Sequence, residues 1–156
     1  MNYNENYELT ILKEHLKRLG ENNLKIQKLN PPNPDFLVND CTYYEVTFCS
    51  YDKKSEEIYH KLNQKLPLRL TSPLNIIENN TQLVNSILER INTKQLKSYT
   101  ILEQKKFNLL IHVYHGPNLG NDIFKIIKSK IKNTGQYTKI YIQTGYTTEV
   151  IPSNVD

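Results

Sequence analysis

The feature that most constrains the fold is a near-continuous apolar run at residues 107–114, with the sequence FNLLIHVY. Its length is usual for a strand, and an apolar run without alternation is typical of a strand that is buried on both faces. Such a strand needs a layer of structure on each side of its sheet. The run therefore predicts an α/β protein with a central sheet flanked by helices.

The segments around this run predict the other strands and helices. Apolar spacing and turn residues predict helices at 4–20, 73–99 and 122–132 and strands at 24–29, 35–38, 42–49 and 137–143. The turn pair Asn39 and Asp40 predicts a hairpin between two of these strands. The order α-β-β-β-α-β-α-β implies a mixed sheet, because a meander is followed by crossover connections. A chain of 156 residues is expected to form a single domain, residues 1–156.

Composition narrows the class of protein without determining its function. The net charge of +4 allows a nucleic-acid partner but does not require one. No apolar run reaches the roughly 18 residues of a membrane-spanning helix. The polar, acidic start does not resemble a secretory signal. Cys41 and Cys49 flank or end one predicted extended strand and lie too far apart for a disulfide. We expect a cytoplasmic protein with reduced thiols.

Two carboxylates on the predicted hairpin form a candidate metal site. Glu45 lies in the middle of the strand 42–49, among apolar neighbours, where an unpaired carboxylate is costly to bury. A solvent-exposed Glu45 is the ordinary alternative. Asp35 begins the preceding strand, and the turn at Asn39 and Asp40 returns the chain beside Glu45. Two carboxylates on adjacent strands predict an all-oxygen site for Mg²⁺ or Mn²⁺.

The residues around these carboxylates resemble the PD-(D/E)XK nucleases. Pro34-Asp35-Phe36 followed by Glu45-Val46-Thr47 is similar to the PDF…EVT pattern of small members of that family. The resemblance covers about residues 5–145, because the order of helix, three-stranded meander, long helix and strand also matches. It implies a restriction-endonuclease-like mixed sheet flanked by helices. It also implies that Asp35 and Glu45 bind the catalytic metal, with the carbonyl group of Val46 as another ligand.

The resemblance further implies an acidic residue from the first helix. Glu8 continues the apolar stripe of that helix, whereas Glu14 falls on the opposite, solvated face. We therefore predict Glu8 as a third metal ligand, with Glu5 at a similar angle as the reserve. A glutamate in the first helical turn can instead interact only with the helix dipole, and that alternative stays open.

Thr47 departs from the family pattern, which has a lysine at this position. That lysine helps to activate the attacking water and stabilises the charge that develops on the phosphate. A threonine hydroxyl carries no charge, so either another element supplies the ammonium group or the chemistry is lost. Lys94 on the long helix is the candidate cation, and Gln95 is the candidate for positioning the nucleophile or the phosphate. An ordinary surface lysine is the alternative for Lys94.

Two further features predict contacts with nucleic acid. Gln95 and Tyr99 resemble the QxxxY element of RecB-like nucleases, which implies that Tyr99 flanks the nucleic acid. A core aromatic at the end of a helix is the alternative for Tyr99. The segment after the strand 42–49 mixes basic and aromatic residues, which suits contact with a phosphate backbone, although such lysines are often merely solvated. Its candidate contact residues are Lys53, Lys54 and Lys61.

The sequence thus predicts a Mg²⁺- or Mn²⁺-dependent nuclease that hydrolyses phosphodiester bonds, with DNA favoured over RNA. The alternative is a catalytically inactive domain of the same fold that binds nucleic acid or another protein, as an accessory of a defence or mobile-element system. Thr47 leaves this alternative open. A homodimer or a larger defence complex is compatible with both functions, and no membrane partner is expected.

Overall fold

A computed structural model of the chain describes residues 3–49, 80–101, 105–113 and 121–152. The elements in these ranges are α1 (Tyr3–Arg18), β1 (Ile26–Lys28), β2 (Phe36–Val38), β3 (Thr42–Cys49), α2 (Asn80–Leu96), β4 (Lys106–Val113), α3 (Asn121–Lys130), β5 (Lys139–Gln143) and β6 (Thr148–Pro152). Each predicted element is present, with ends shifted by a few residues. The predicted start of the long helix lies outside the described residues. None of the helices in these ranges combines the length and apolarity that crossing a membrane requires.

The six strands form one mixed sheet in the order β1-β2-β3-β4-β5-β6. The pairs β3–β4 and β4–β5 are parallel, and the other three pairs are antiparallel. The apolar run forms β4, in the interior of the sheet, where Leu109, Leu110 and Ile111 are fully buried. These observations confirm the predicted α/β class and its mixed sheet.

Helices cover both faces of the sheet. Tyr43 of β3 belongs to a buried cluster that contains Ile87 of α2 and Ile127 of α3. The next residue, Tyr44, points to the opposite face and belongs to a cluster that contains Leu12 of α1. Because both faces of β3 are covered, a polar side chain in the middle of this strand lies inside the protein.

The turn between β2 and β3 has the geometry that its sequence predicts. Asn39 and Asp40 have φ values of 53° and 58°, both in the left-handed region. The main-chain N–H of Cys41 donates a hydrogen bond to the carbonyl oxygen of Val38 at 3.1 Å. Positive φ at both central residues is the requirement of a type I′ turn, and Asn and Asp tolerate this conformation better than most residues.

The strand β6 was not predicted from the sequence. Its five residues have only one buried side chain, that of Ile151, and end in a proline, so the local pattern does not indicate a strand. The turn between β5 and β6 is held instead by a distant residue. Arg18 of α1 donates hydrogen bonds to the carbonyl oxygens of Thr144 and Thr147 at 3.0 and 3.1 Å. A tertiary contact thus secures the hairpin of β5 and β6.

Candidate metal centre

The register of β2 against β3 brings the two predicted carboxylates together. Phe36 pairs with Tyr44, so the residue before Phe36, which is Asp35, lies beside Glu45. The main-chain N–H of Asp35 donates to Glu45 Oε1 at 3.2 Å, and the N–H of Val46 donates to Asp35 Oδ2 at 2.9 Å. Each carboxylate is therefore anchored to the strand that carries the other.

Glu45 is buried, with 3 % of its side chain exposed, which excludes the alternative of a solvated glutamate. Its Oε2 accepts hydrogen bonds from Lys94 Nζ and from the Tyr99 hydroxyl, both at 2.9 Å. A second ammonium group, that of Lys97, lies 3.8 Å from the same oxygen. These donors and positive charges offset the free-energy cost of burying the carboxylate.

Asp35 has a more open environment but is strongly influenced by its neighbour. Burial, the negative charge of Glu45 and a hydrogen bond between the two carboxyl groups raise the pKa of Asp35 to about 6. The N–H of Val46 and the ammonium group of Lys28 act in the opposite direction. Lys28 Nζ lies 3.8 Å from Asp35 Oδ1. The adjacent carboxyl group of Glu45 thus makes the ionisation of Asp35 less favourable, and a cation bound between the two would relieve this effect.

Glu8 reaches the same site from α1. Burial raises the pKa of Glu8 to about 8, and the negative charges of Asp35 and Glu45 contribute in the same direction. Glu14 instead lies on the exposed side of the helix, as its position on the helical stripe predicts. The structure thus places Glu8, and not Glu14, within electrostatic reach of both carboxylates.

The donor set fits a hard divalent cation, since carboxylate oxygens are the ligands that Mg²⁺ and Mn²⁺ prefer. Among the residues that the structure describes, no three His, Cys, Asp or Glu side chains already meet as a metal cluster. The fit therefore rests on the pair formed by Asp35 and Glu45, with Glu8 as a third carboxylate nearby. Val46 is paired with Leu110 of β4, and the predicted role of its carbonyl group stays a prediction.

The consecutive residues Lys94 and Gln95 of α2 have different partners. Lys94 binds Glu45, whereas Gln95 Nε2 donates to the carbonyl oxygen of Asn133, 3.2 Å away in the turn between α3 and β5. Gln95 thus helps to attach α2 to this turn. Its predicted contact with a nucleophile or a phosphate stays a prediction.

The turn between α3 and β5 also holds the end of α2. Gln136 Nε2 donates to the carbonyl oxygens of Lys94 and Lys97 at 3.2 and 2.7 Å, and the Tyr137 hydroxyl donates to that of Lys94 at 2.9 Å. These carbonyl groups lie where a helix runs out of intrahelical partners. Gly135 permits the close approach: its φ is 61°, and a Cβ there would lie 3.2 Å from a side chain of α2. The turn therefore positions the lysines that face Glu45.

Tyr99 belongs both to the core and to the site. Its ring packs edge-to-face against Phe107, with centroids 5.1 Å apart. This contact is the one expected if Tyr99 is a core aromatic residue. Burial and the charge of Glu45 raise the pKa of Tyr99 well above its usual range. The hydroxyl consequently keeps its proton and donates to Glu45. The predicted contact of Tyr99 with nucleic acid stays a prediction.

Sequence reasoning missed two lysines of the site. Lys97 follows Lys94 by three residues, and this helical spacing is a signal that could have identified it. Lys28 is placed by the pairing of β1 with β2, in which it lies opposite Phe36. The register of so short a strand could not be read from its sequence, so no local signal indicated Lys28.

The basic segment that was predicted to contact nucleic acid lies outside the described residues. Lys53, Lys54 and Lys61 all belong to this segment. Their contact with a phosphate backbone therefore stays a prediction.

Comparisons with protein-family models, with curated proteins and with solved structures found no significant match. The relation to PD-(D/E)XK nucleases consequently stays a prediction, which rests on the motif and on the geometry of the carboxylates and lysines.

Glu8→Gln is expected to stabilise the protein at neutral and alkaline pH. The pKa of Glu8 is about 8 in the folded protein, against 4.5 for an ordinary glutamate. The unfolded chain therefore loses this proton first, and stability falls as the pH rises between these two values. Since glutamine does not ionise, the gain should grow from about pH 5 to about pH 8 and then stay constant. Urea unfolding across this range measures the free energy of unfolding.

Glu14→Gln is the matched control, because it removes from the same helix an exposed glutamate whose partner is Arg18 and not the other carboxylates. Its effect on the free energy of unfolding should change little across the same pH range. If the curve for Glu8→Gln runs parallel to that of the parent protein, Glu8 is not held among the other carboxylates.

Proposed function

We propose that this protein is a Mg²⁺- or Mn²⁺-dependent nuclease with a restriction-endonuclease-like fold. The observation that carries the proposal is the contact between Lys94 and Glu45, with Nζ 2.9 Å from Oε2 on the strand beside Asp35. It supports a role for α2 as the source of the positive charge that Thr47 cannot supply. Thr47 is itself buried on β3, with a side chain too short to replace an ammonium group.

The architecture supports the finer description of the fold. The chain passes through α1, the antiparallel unit β1–β3, the long helix α2 and then β4, which is parallel to β3. This is the order of elements that the resemblance to PD-(D/E)XK nucleases implies. The carboxylates lie where β2 begins beside β3.

Asp35 and Glu45 are the residues that would hold the metal ion, with Glu8 and the carbonyl group of Val46 as further ligands. A bound divalent cation would lower the pKa of a water molecule and offset negative charge on the phosphate. Tyr99 and the main-chain N–H of Asp35 fix the orientation of Glu45 through one oxygen each. Hydrogen bonds of this kind orient the side chains that bind a metal ion.

Lys94 would stabilise the negative charge that develops on the scissile phosphate. Its side chain is 15 % exposed, and its main-chain carbonyl group is held by Gln136 and Tyr137. An ammonium group that is fixed before the reaction stabilises developing charge without reorganisation. A phosphate oxygen that approaches the two carboxylates would therefore meet a donor already in place.

One observation favours the alternative of an inactive binding domain. Oxygen Oε2 of Glu45 already accepts hydrogen bonds from both Lys94 and Tyr99, as it would in a purely structural ion-pair network. In that case the fold would bind nucleic acid or a protein partner without cleaving it.

Cleavage of labelled DNA and RNA oligonucleotides tests the proposal. The parent protein is expected to cleave with Mg²⁺ or Mn²⁺ and to stop when the metal is chelated. Glu45→Gln should lower the rate by at least about 10²–10³, the cost of losing one well-placed charge or donor in an active site. Glu14→Gln, prepared in the same way, should cleave like the parent. No cleavage of either nucleic acid with either ion, or equal cleavage by Glu45→Gln, would contradict a nuclease built on Glu45.

Lys94→Met is expected to separate catalysis from binding. Methionine keeps much of the aliphatic length and removes the charge, so turnover should fall by about 10²–10³. The affinity for the oligonucleotide should change far less, because one phosphate contact among many contributes little to binding. Single-turnover rates and fluorescence anisotropy measure the two quantities. Lys125→Met, at an exposed position of α3, is the control for the change in net charge. If Lys94→Met loses rate and affinity equally, Lys94 contributes to binding and not to catalysis.

A further inference from the structure

The three lysines around the carboxylates fall into two classes. Lys94 lies 2.9 Å from Glu45 with 15 % of its side chain exposed. Lys97 and Lys28 form longer contacts, each at 3.8 Å, to Glu45 and Asp35 respectively, and their side chains are 57 % and 25 % exposed. At 3.8 Å neither ammonium group is within hydrogen-bond distance of its carboxylate, unlike that of Lys94. The two outer ammonium groups are therefore held less tightly than that of Lys94.

Each outer lysine also has an aromatic neighbour. Lys97 Nζ lies 5.3 Å from the ring centroid of Tyr99, and Lys28 Nζ lies 5.2 Å from that of Phe36. A cation over an aromatic ring is attracted to it without any carboxylate. Both ammonium groups thus keep a favourable position at the rim of the site when their carboxylate partners are neutralised.

We propose that Lys28 and Lys97 form a binding site for backbone phosphates that becomes available when a divalent cation occupies the Asp35–Glu45 pair. This inference rests on the proposed function. With the carboxylates unoccupied, the two ammonium groups compensate their negative charge. A divalent cation takes over that compensation and leaves the ammonium groups to pair with phosphate oxygens. Only ion pairs are exchanged, and no covalent bond changes.

The exchange couples the two ligands in both directions. Without the cation, a phosphate must compete with two carboxylates for the lysines, and the negative charges of the carboxylates repel it. With the cation, both obstacles are reduced, so metal and nucleic acid each increase the affinity for the other by the same factor. Removal of Lys97 should consequently strengthen metal binding and weaken nucleic-acid binding. A residue with only a structural role would weaken both when it is removed.

Calorimetric titration with MnCl₂, in the absence of nucleic acid, tests the first half of the inference. Lys97→Ala and Lys28→Ala should each bind Mn²⁺ about 5-fold more tightly than the parent or better, the lower end of usual coupling between sites. Lys97→Arg keeps the positive charge and should keep the affinity of the parent protein. Lys125→Ala removes a charge from an exposed position elsewhere and should leave the affinity unchanged.

Anisotropy titrations with a phosphorothioate oligodeoxynucleotide, which resists cleavage, test the second half. Mn²⁺ should increase the affinity of the parent for this probe by about 5-fold or more. This increase is informative because added cations ordinarily weaken binding to nucleic acid. It should be lost in Lys97→Ala and retained in Lys97→Arg and Lys125→Ala.

The outcomes separate this inference from the proposed function. If the parent cleaves nucleic acid but Lys97→Ala and Lys28→Ala bind Mn²⁺ no more tightly than it does, the inference is overturned and the nuclease remains. If the coupling appears in a protein that cleaves neither DNA nor RNA, the inference stands and the nuclease is overturned. A parent protein that binds no Mn²⁺ overturns both.

Discussion

The carboxyl group of Glu45 lies inside a strand that is covered on both faces, and the neighbouring elements supply hydrogen-bond donors and positive charges to it from several directions. The end of α2 brings the ammonium group of Lys94 to one oxygen, and Tyr99 donates to the same oxygen. The main chain of Asp35 donates to the other. The turn between α3 and β5 contributes indirectly, because Gln136 binds the carbonyl groups of Lys94 and Lys97, in and just after the last turn of α2. The buried charge thus links both sheet and helices to one site.

The centre of this site could be predicted from local sequence patterns. The alternation of side chains along β3 and the Asn39-Asp40 turn determine the register that places Asp35 beside Glu45. Helical periodicity predicted that Lys94 could face the same strand. Lys28 could not be predicted, because the pairing of β1 with β2 places it. The strand β6 could not be predicted, because the distant residue Arg18 holds the turn before it. The partner of Gln95 was likewise set by a turn that is far away in the sequence.

The same arrangement has a cost in stability. The pKa values of Glu8 and Asp35 are raised to about 8 and about 6, so at neutral pH both groups ionise more readily in the unfolded chain, which favours unfolding. Carboxylates that are kept close together despite mutual repulsion are typical of functional sites, where a ligand supplies the missing charge. The loosely held ammonium groups of Lys28 and Lys97 compensate part of the repulsion. The proposed divalent cation would take over this compensation, which connects the buried Glu45 to the proposed metal-dependent chemistry.

The proposed chemistry requires that Asp35 and Glu45 together bind a divalent cation. A crystal structure of the protein with Mn²⁺, with anomalous diffraction recorded near the manganese absorption edge, tests it most directly. We expect an anomalous peak with carboxylate oxygens of both residues at about 2.0–2.6 Å, the range of metal–oxygen ligand distances. An absence of manganese at this position, with Lys94 and Tyr99 still bound to Glu45 at saturating Mn²⁺, would contradict it.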